Sequence, residues 1–232
     1  MATPRRAAIL PEPAASLVYD AGCRRCPRLV AFLDDVRAAN PGYFCRPVPP
    51  FGAADAALVV VGLAPGMHGA NASGRPFTGD HAGILLYETL HAYGFASQPV
   101  GKAPDDGLTL AGCRITNAVK CLPPGNKPAP AETRACNGYL AADLAALPPG
   151  GAILALGRVA HDATLRALRI KPSAFAFAHG ARHALVHGAA LFDSYHCSRY
   201  NTNTGRLTAP MFRAVFDAIA AHLSRAGARR AA

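Results

Sequence analysis

The chain has 232 residues, 51% of them hydrophobic, with 24 Lys and Arg against 14 Asp and Glu for a formal net charge of +10. That is enough apolar chain for one sizeable core, with no apolar run of the roughly 18–20 residues a membrane span needs and no secretory signal pattern behind Met-Ala-Thr-Pro-Arg-Arg. The cationic surplus favours a polyanion, of which nucleic acid is the commonest, although a GC-rich genome's arginine bias produces the same excess.

Residues 1–22, rich in alanine and proline, are expected as an extended arm. Cys23 to Ala39 reads as a helix, since Leu29, Val30, Phe32, Leu33 and Val36 lie near helical spacing. Asn40 to Gly52 holds four prolines and reads as loop. Leu58-Val59-Val60-Val61-Gly62-Leu63 is a continuous apolar strand of the kind covered on both faces. A glycine-rich loop from Ala64 to Gly83 precedes a helix over Ile84–Tyr93, and residues 94–112 read as a polar excursion. Arg114–Lys120 is the next strand, and Pro130, suited to a first helical turn, opens a helix to about Leu147 with Glu132 favourable near its start. Ala152–Leu156 is a third strand, with a helix near Arg158–Leu168. Ala184–Val186 and Ala190–Tyr195 read as a strand pair, and a last helix spans about Ala209 to Ala226.

Alternating strands and helices predict an α/β fold, a three-layer α/β/α sandwich around a mainly parallel four-stranded sheet. The domain reading is an N-terminal arm (1–22), one domain (23–226) and a basic tail (227–232). In such a sheet, functional loops gather at the carboxyl ends of the strands. Three polar segments fall there: after Leu63, around Asn117 and after Tyr195.

Three patterns carry chemistry. Cys23 and Cys26 form a Cys-x2-Cys pair, and Cys121 and Cys136 a Cys-x14-Cys pair far downstream. Seven cysteines, an odd number without disulfide-scaffold spacing, fit reduced thiols with a metal role. The wide second pair is not a zinc knuckle and points to a [4Fe-4S] cluster, with zinc as the alternative. Cys45, Cys113 and Cys197 read as ordinary buried thiols. The loop from Gly62 to Asp80 has five glycines in nineteen residues, fits neither a Walker loop nor a dinucleotide fingerprint, and reads as a ligand loop in which Asp80 is the only carboxylate and Phe77 the only aromatic ring. The bland reading of Asp80 is a helix N-cap. The segment Ser194-Tyr-His-Cys-Ser-Arg-Tyr-Asn201 onward to Arg206 suits contact with a flipped base and its flanking phosphates, the alternative being a polar surface loop.

The Gly62-Leu-Ala-Pro-Gly opening, Gly-Arg-Pro-Phe-Thr-Gly-Asp80, Ile-Thr-Asn117-Ala-Val-Lys-Cys and His196-Cys-Ser, together with the four cysteines, resemble the uracil-DNA glycosylase superfamily, iron–sulfur family 5 (UDGb type), over roughly residues 20–220. Leu63 and Phe77-Thr-Gly-Asp80 separate the chain from the family 4 pattern. The resemblance implies a hydrolase of N-glycosyl bonds that excises uracil from DNA in base excision repair, with possible extension to hypoxanthine and other deaminated bases. It implies Asp80 and His196 in catalysis. Gly62, Ala64, Gly66, Asn71, Phe77 and Asn117 would form the base pocket, with His68 as a weaker candidate, and Ser198, Arg199, Asn201 and Arg206 would contact DNA. The four cysteines would hold a [4Fe-4S] cluster. The expected partner is uracil-containing DNA and not a membrane, with the protein a monomer of the bacterial cytosol. The pattern departs from the superfamily in two places: Cys197 stands where proline is common, and Leu63-Ala64-Pro65 supplies no carboxylate or amide to activate water, which shifts that burden to Asp80. The competing functions are an inactive iron–sulfur DNA-binding protein of the same fold and an electron-transfer protein.

Overall fold

The computed structural model describes residues 17–231, apart from the side chains of residues 228–231. Most of the expected arm, residues 1–16, lies outside the described residues. Five strands form one sheet: β1 (Leu58–Gly62), β2 (Cys113–Asn117), β3 (Ala152–Leu156), β4 (Arg182–Ala184) and β5 (Ala190–Ser194), in the order β2-β1-β3-β5-β4. Four of them run parallel, and β4 pairs antiparallel with β5 at the edge. The expected four-stranded sheet therefore has five strands, and the strand foreseen at Ala184–Val186 lies earlier, because a turn over Val186–Gly188 takes up the residues before β5.

β1, β3 and β5 are buried at every position, which explains the unbroken apolar sequences of β1 and β3; β5 also buries Asp193 and Ser194. Side chains alternate across the sheet. Leu58, Val60, Leu154 and Phe192 pack beneath α3 (His81–Ala92) and α7 (Ala209–Ala231), against Leu86, Leu90, Phe212, Phe216 and Ile219. Val59, Val61, Ile153 and Leu191 face α4 (Pro130–Ala145) and α5 (Arg158–Ala167), against Leu140, Leu144, Ala160 and Ala163. Each large aliphatic side chain so buried contributes roughly 1.5–3 kcal/mol. Those are the three layers the sequence pattern called for.

A third cluster joins α1 (Pro27–Ala39) to the segment after β2 through Leu29, Leu33, Val36, Val119, Leu122 and Tyr139. Beside it, Arg28 makes two hydrogen bonds to Glu132, at 2.8 and 2.7 Å. Glu132 also accepts the Ala129 N–H at 2.7 Å, closing the first turn of α4 behind Pro130. α7 runs five residues past the expected end, into the segment read as a tail; Ala228, Arg229 and Arg230 are good helix formers and supply no stop.

The chain leaves β1 towards α3 on one face and β3 towards α5 on the other. The switch point of the sheet thus lies between the carboxyl ends of β1 and β3, where such folds open a crevice.

Candidate active site

A cleft of about 440 Å³ occupies that position. Its walls come from the ends of four parallel strands: Leu63, Ala64 and Gly66 after β1, Asn117 at the end of β2, Leu156 and Gly157 after β3, and His196 and Ser198 after β5. Phe77 and Asp80 line it from the loop before α3, and Arg199 from the start of α6 (Arg199–Asn203). The three polar segments singled out by sequence meet here, as the topology demanded.

Asp80 is the only carboxylate in the lining. It occupies the N-cap position of α3 with extended backbone, yet its side chain makes no capping hydrogen bond. Instead Oδ2 accepts the Ala70 N–H at 3.1 Å, from the first residue of α2 (Ala70–Ser73). The bland capping reading fails, and the carboxylate is turned into the cleft. Burial raises its pKa, partly offset by the Ala70 hydrogen bond and the charge of His68. Gly66 and Gly69 make room for it, since a Cβ on either would overlap the carboxyl group.

Phe77 is 6% exposed and holds a left-handed backbone (φ +56), unusual for a non-glycine residue and a sign of local strain. Its ring lies 6.0 Å from that of His196 at an interplanar angle of 25°. Asn117 is 3% exposed, and its Oδ1 is buried without a hydrogen-bond partner. An unpaired buried amide oxygen costs about 1–3 kcal/mol, and this one lies against Gly62 at the pocket floor. Gly62 lies beneath both groups, because a Cβ there would overlap Asn117 Oδ1 and stand 2.8 Å from Phe77 Cζ. Gly62 shapes the pocket floor without lining it. Removal from water pushes the pKa of His196 down to about 4, so its imidazole is neutral at pH 7.

Four expected contacts sit elsewhere. Asn71 is fully buried, contacts Cys45 Sγ through Nδ2 at 3.4 Å and braces the loop through backbone hydrogen bonds to Gly66 and Cys45. It lies behind the pocket because α2 turns its side chain inward. Asn201 donates from Nδ2 to the His196 carbonyl at 2.8 Å, holding the strand end that presents His196. Arg206 stacks over Tyr195, with its guanidinium carbon 4.7 Å from the ring centre. His68 bonds Tyr43 through Nδ1 at 2.8 Å and does not line the cleft.

Sequence reasoning missed Arg158, His81 and Asn126, which line the cleft, and Tyr200, 71% exposed beside Arg199. A signal existed for Arg158, which follows Gly157 at the end of β3, the one strand end not singled out. Arg75, within the Gly-Arg-Pro-Phe motif, is structural: it makes hydrogen bonds of 2.9 and 2.8 Å to Asp106, bonds Thr78 at 2.6 Å and is 6% exposed.

Behind the glycine loop, Cys23, Cys26, Cys121 and Cys136 line one small pocket with Leu29, Val119 and Tyr139. Cys45, Cys113 and Cys197 are fully buried elsewhere, as expected of packing thiols. Burial pushes the Cys121 thiol up to about 12 and raises Cys136, and the neighbouring cysteines add to both shifts. The Lys120 N–H approaches Cys136 Sγ at 3.3 Å. Four soft donors gathered in a mostly apolar pocket fit a metal or cluster that takes thiolates. Five residues after Cys121, Asn126 reaches the cleft, so a short stretch of chain links the cysteine pocket to one wall of the site.

Comparison with known proteins identifies the family. Residues 49–220 match the family model described as the uracil DNA glycosylase superfamily. The chain is 48% identical over 195 residues to a type-5 uracil-DNA glycosylase of Thermus thermophilus, covering 82% of this chain and 89% of that one. It is 42% identical over 193 residues to a type-5 uracil-DNA glycosylase of Pyrobaculum aerophilum, covering 80% and 82% of the two. A type-4 uracil-DNA glycosylase of Archaeoglobus fulgidus matches at 35% identity over 139 residues, 60% of this chain and 56% of that one.

Proposed function

This chain belongs to the uracil-DNA glycosylase superfamily, among its type-5 members, and from that premise we propose that the cleft excises uracil from DNA by hydrolysing the N-glycosidic bond. The observation that carries the residue assignment is the unpaired Oδ1 of Asn117 beside the Phe77 ring and the neutral His196. A uracil turned out of the stack stacks on Phe77, and its N3–H donates to Asn117 Oδ1 while O4 accepts from Nδ2. Thymine is opposed only by the space its methyl group needs, and cytosine by its reversed donor and acceptor edge.

Breaking the bond leaves negative charge on the base and positive charge on the sugar. His196, neutral at pH 7, donates an N–H to the uracil O2 as charge gathers there, an interaction worth roughly 3–4 kcal/mol where comparable donors have been removed. The half-buried Asp80 carboxylate opposes the sugar cation and orients the water that attacks C1′. The water's oxygen bonds C1′ as the C1′–N1 bond breaks, its proton passes by way of the carboxylate or solvent to the departing uracil anion, and the products are free uracil and an abasic sugar.

On the DNA side, Ser198, Arg199 and Arg158 stand at the cleft rim to meet phosphates, with Arg206 further out. Tyr200 is the large exposed side chain placed to enter the stack where the nucleotide has left, a wedge role otherwise open to an arginine. Cys23, Cys26, Cys121 and Cys136 hold a [4Fe-4S] cluster in this reading. When bound, that group cross-links the α1 segment to α4 and supplies no step of the hydrolysis. The division of arm from domain at residue 22, and action as a monomer in the bacterial cytosol, complete the proposal, with α7 carrying the domain into the segment read as a tail; among the described residues no helix is long and apolar enough to cross a membrane.

The test is a duplex oligonucleotide with one uracil, incubated with protein and then cleaved with alkali at abasic sites. Wild type yields the cleaved strand, and Asp80→Ala and Asn117→Ala lose it by about 10²-fold or more. Undiminished product from Asp80→Ala removes that residue from the chemistry. Iron and sulfide assays on anaerobically purified protein decide the cluster, with one zinc and no labile sulfide as the contrary result.

A further inference from the structure

Away from the cleft, α5 and the β4–β5 hairpin enclose a second convergence of polar groups. Asp193, fully buried on β5, faces two histidines: Oδ1 lies 2.8 Å from His161 Nδ1 and Oδ2 lies 2.9 Å from His183 Nε2. The pairing places them there. His183 is opposite Leu191 in the antiparallel ladder, so it shares a sheet face with Leu191 and Asp193, and α5 brings His161 onto that same face. The ligand atoms of the three residues all lie within 4.8 Å of one another, and among the described residues no other trio of His, Cys, Asp or Glu does this.

The hydrogen bonding of His161 determines what the cluster needs. Its Nε2 lies 3.1 Å from the Phe175 carbonyl, which can only accept, so Nε2 carries a proton. In a neutral ring that leaves the Nδ1 lone pair aimed at a carboxylate oxygen 2.8 Å away. Two lone pairs at that distance repel unless a cation lies between them. An imidazole oriented by a backbone carbonyl, with its other nitrogen turned to a carboxylate and a second imidazole, is the arrangement that supports a bound metal. Rings close the site: Phe175 stacks on His183 at 4.8 Å and 25°, and Phe177 meets His161 edge-on at 5.6 Å. His183, 12% exposed on the edge strand, leaves a path from solvent.

We infer that His161 Nδ1, His183 Nε2 and the Asp193 carboxylate form a binding site for one divalent transition ion of the zinc type, with a fourth place open to water. Two imidazoles and one carboxylate are a donor set suited to zinc. The ion serves structure: it pins α5 and the hairpin to the end of β5, three residues before His196. The segment leading into β4 carries His179, which accepts the Tyr195 N–H at 3.2 Å and stacks on that ring at 5.0 Å, so the site braces the segment that presents His196. It shares no residue with the cysteine pocket and stands or falls independently of the activity.

The experiment is zinc titration of the intact protein after EDTA treatment and dialysis. Calorimetry, metal analysis, and iron content before and after monitor the cysteine pocket. One equivalent of zinc binds with iron unchanged and raises the melting temperature. His183→Gln, at a partly exposed edge position, and Asp193→Asn each weaken that uptake tenfold or more and abolish the thermal shift. Equal zinc uptake by wild type and His183→Gln overturns the site. So does failure of wild type to bind zinc while nitrogen NMR finds both His161 nitrogens protonated at pH 8, which makes the missing cation a proton. The wild-type titration decides even if a variant folds poorly.

Discussion

Gly66→Ala displaces the carboxylate of Asp80 without deleting it. The three atoms nearest a Cβ at residue 66 all belong to Asp80; it would overlap Oδ1 and stand 3.1 Å from Cγ and 3.3 Å from Oδ2. Non-bonded carbon contacts settle near roughly 3.5 Å, so the carboxylate must yield by about 1 Å. It ends a side chain that can rotate, and the loss at stake is its Ala70 hydrogen bond, so stability falls by no more than about 1–3 kcal/mol. A misplacement of about 1 Å costs roughly 10²-fold in rate, equivalent to about 2.7 kcal/mol of barrier. Single-turnover cleavage of a uracil duplex measures the rate, and urea unfolding measures the stability. The new methyl also faces the cleft, so the double variant is needed to separate steric exclusion of substrate from displacement of Asp80. If Gly66 acts through Asp80, Gly66→Ala adds almost nothing in an Asp80→Ala background, and the coupling energy equals nearly the whole single-variant effect. A further 10²-fold loss in that background, or full activity of Gly66→Ala alone, refutes the assignment.

Three further outcomes follow from buried polar groups. His196 has a folded pKa near 4 against an ordinary value of 6.5. The unfolded chain therefore takes up a proton that the fold refuses, and the stability present above pH 6.5 is lost as pH falls towards 4, by about 3 kcal/mol in all. Chemical unfolding of wild type and His196→Gln between pH 7 and 4.5 should show the variant's curve to be flatter, and parallel curves contradict the burial of His196. Asp106→Ala strands Arg75, a loss of about 3–5 kcal/mol for a broken buried pair; Arg75→Met with Asp106→Leu should restore part of it, and no recovery in thermal melts argues against the pair. Asn117→Ala removes the base-edge contact, so discrimination between uracil and cytosine should shrink as uracil excision falls while rejection of thymine holds, read from product yields on matched oligonucleotides.

Much of the layering was legible because buried parallel strands must be apolar on both faces. Leu58–Gly62 and Ala152–Leu156 announce themselves by valine, leucine, isoleucine and alanine, with no polar side chain. Arg182–Ala184 does not: an edge strand with exposed Arg182 and Ala184 lacks any such signature, and its pairing depends on β5 being beside it. The last helix, expected to end near Ala226, runs on because Gly227 sits inside a helix whose neighbours favour continuation.

In the site, residue types pointed to Asp80, Phe77, Asn117 and His196, and the fold brings all four into one cleft. Residue types alone could not separate lining from bracing. Asn71 and Asn201 are chemically as fit to touch a base as Asn117, yet one packs against Cys45 and the other holds the His196 carbonyl. That difference depends on the direction in which a turn of helix points a side chain.

The sequence by itself determined the apolar layers, the four-cysteine set and the chemistry available at the loops, because composition and spacing are local properties. Only the tertiary structure decided that Asp80 faces Gly66 instead of capping α3, that Arg75 is tied to Asp106, and that Asp193 lies between two histidines. Each depends on atoms distant along the chain coming within a few ångströms, and no local pattern encodes that distance.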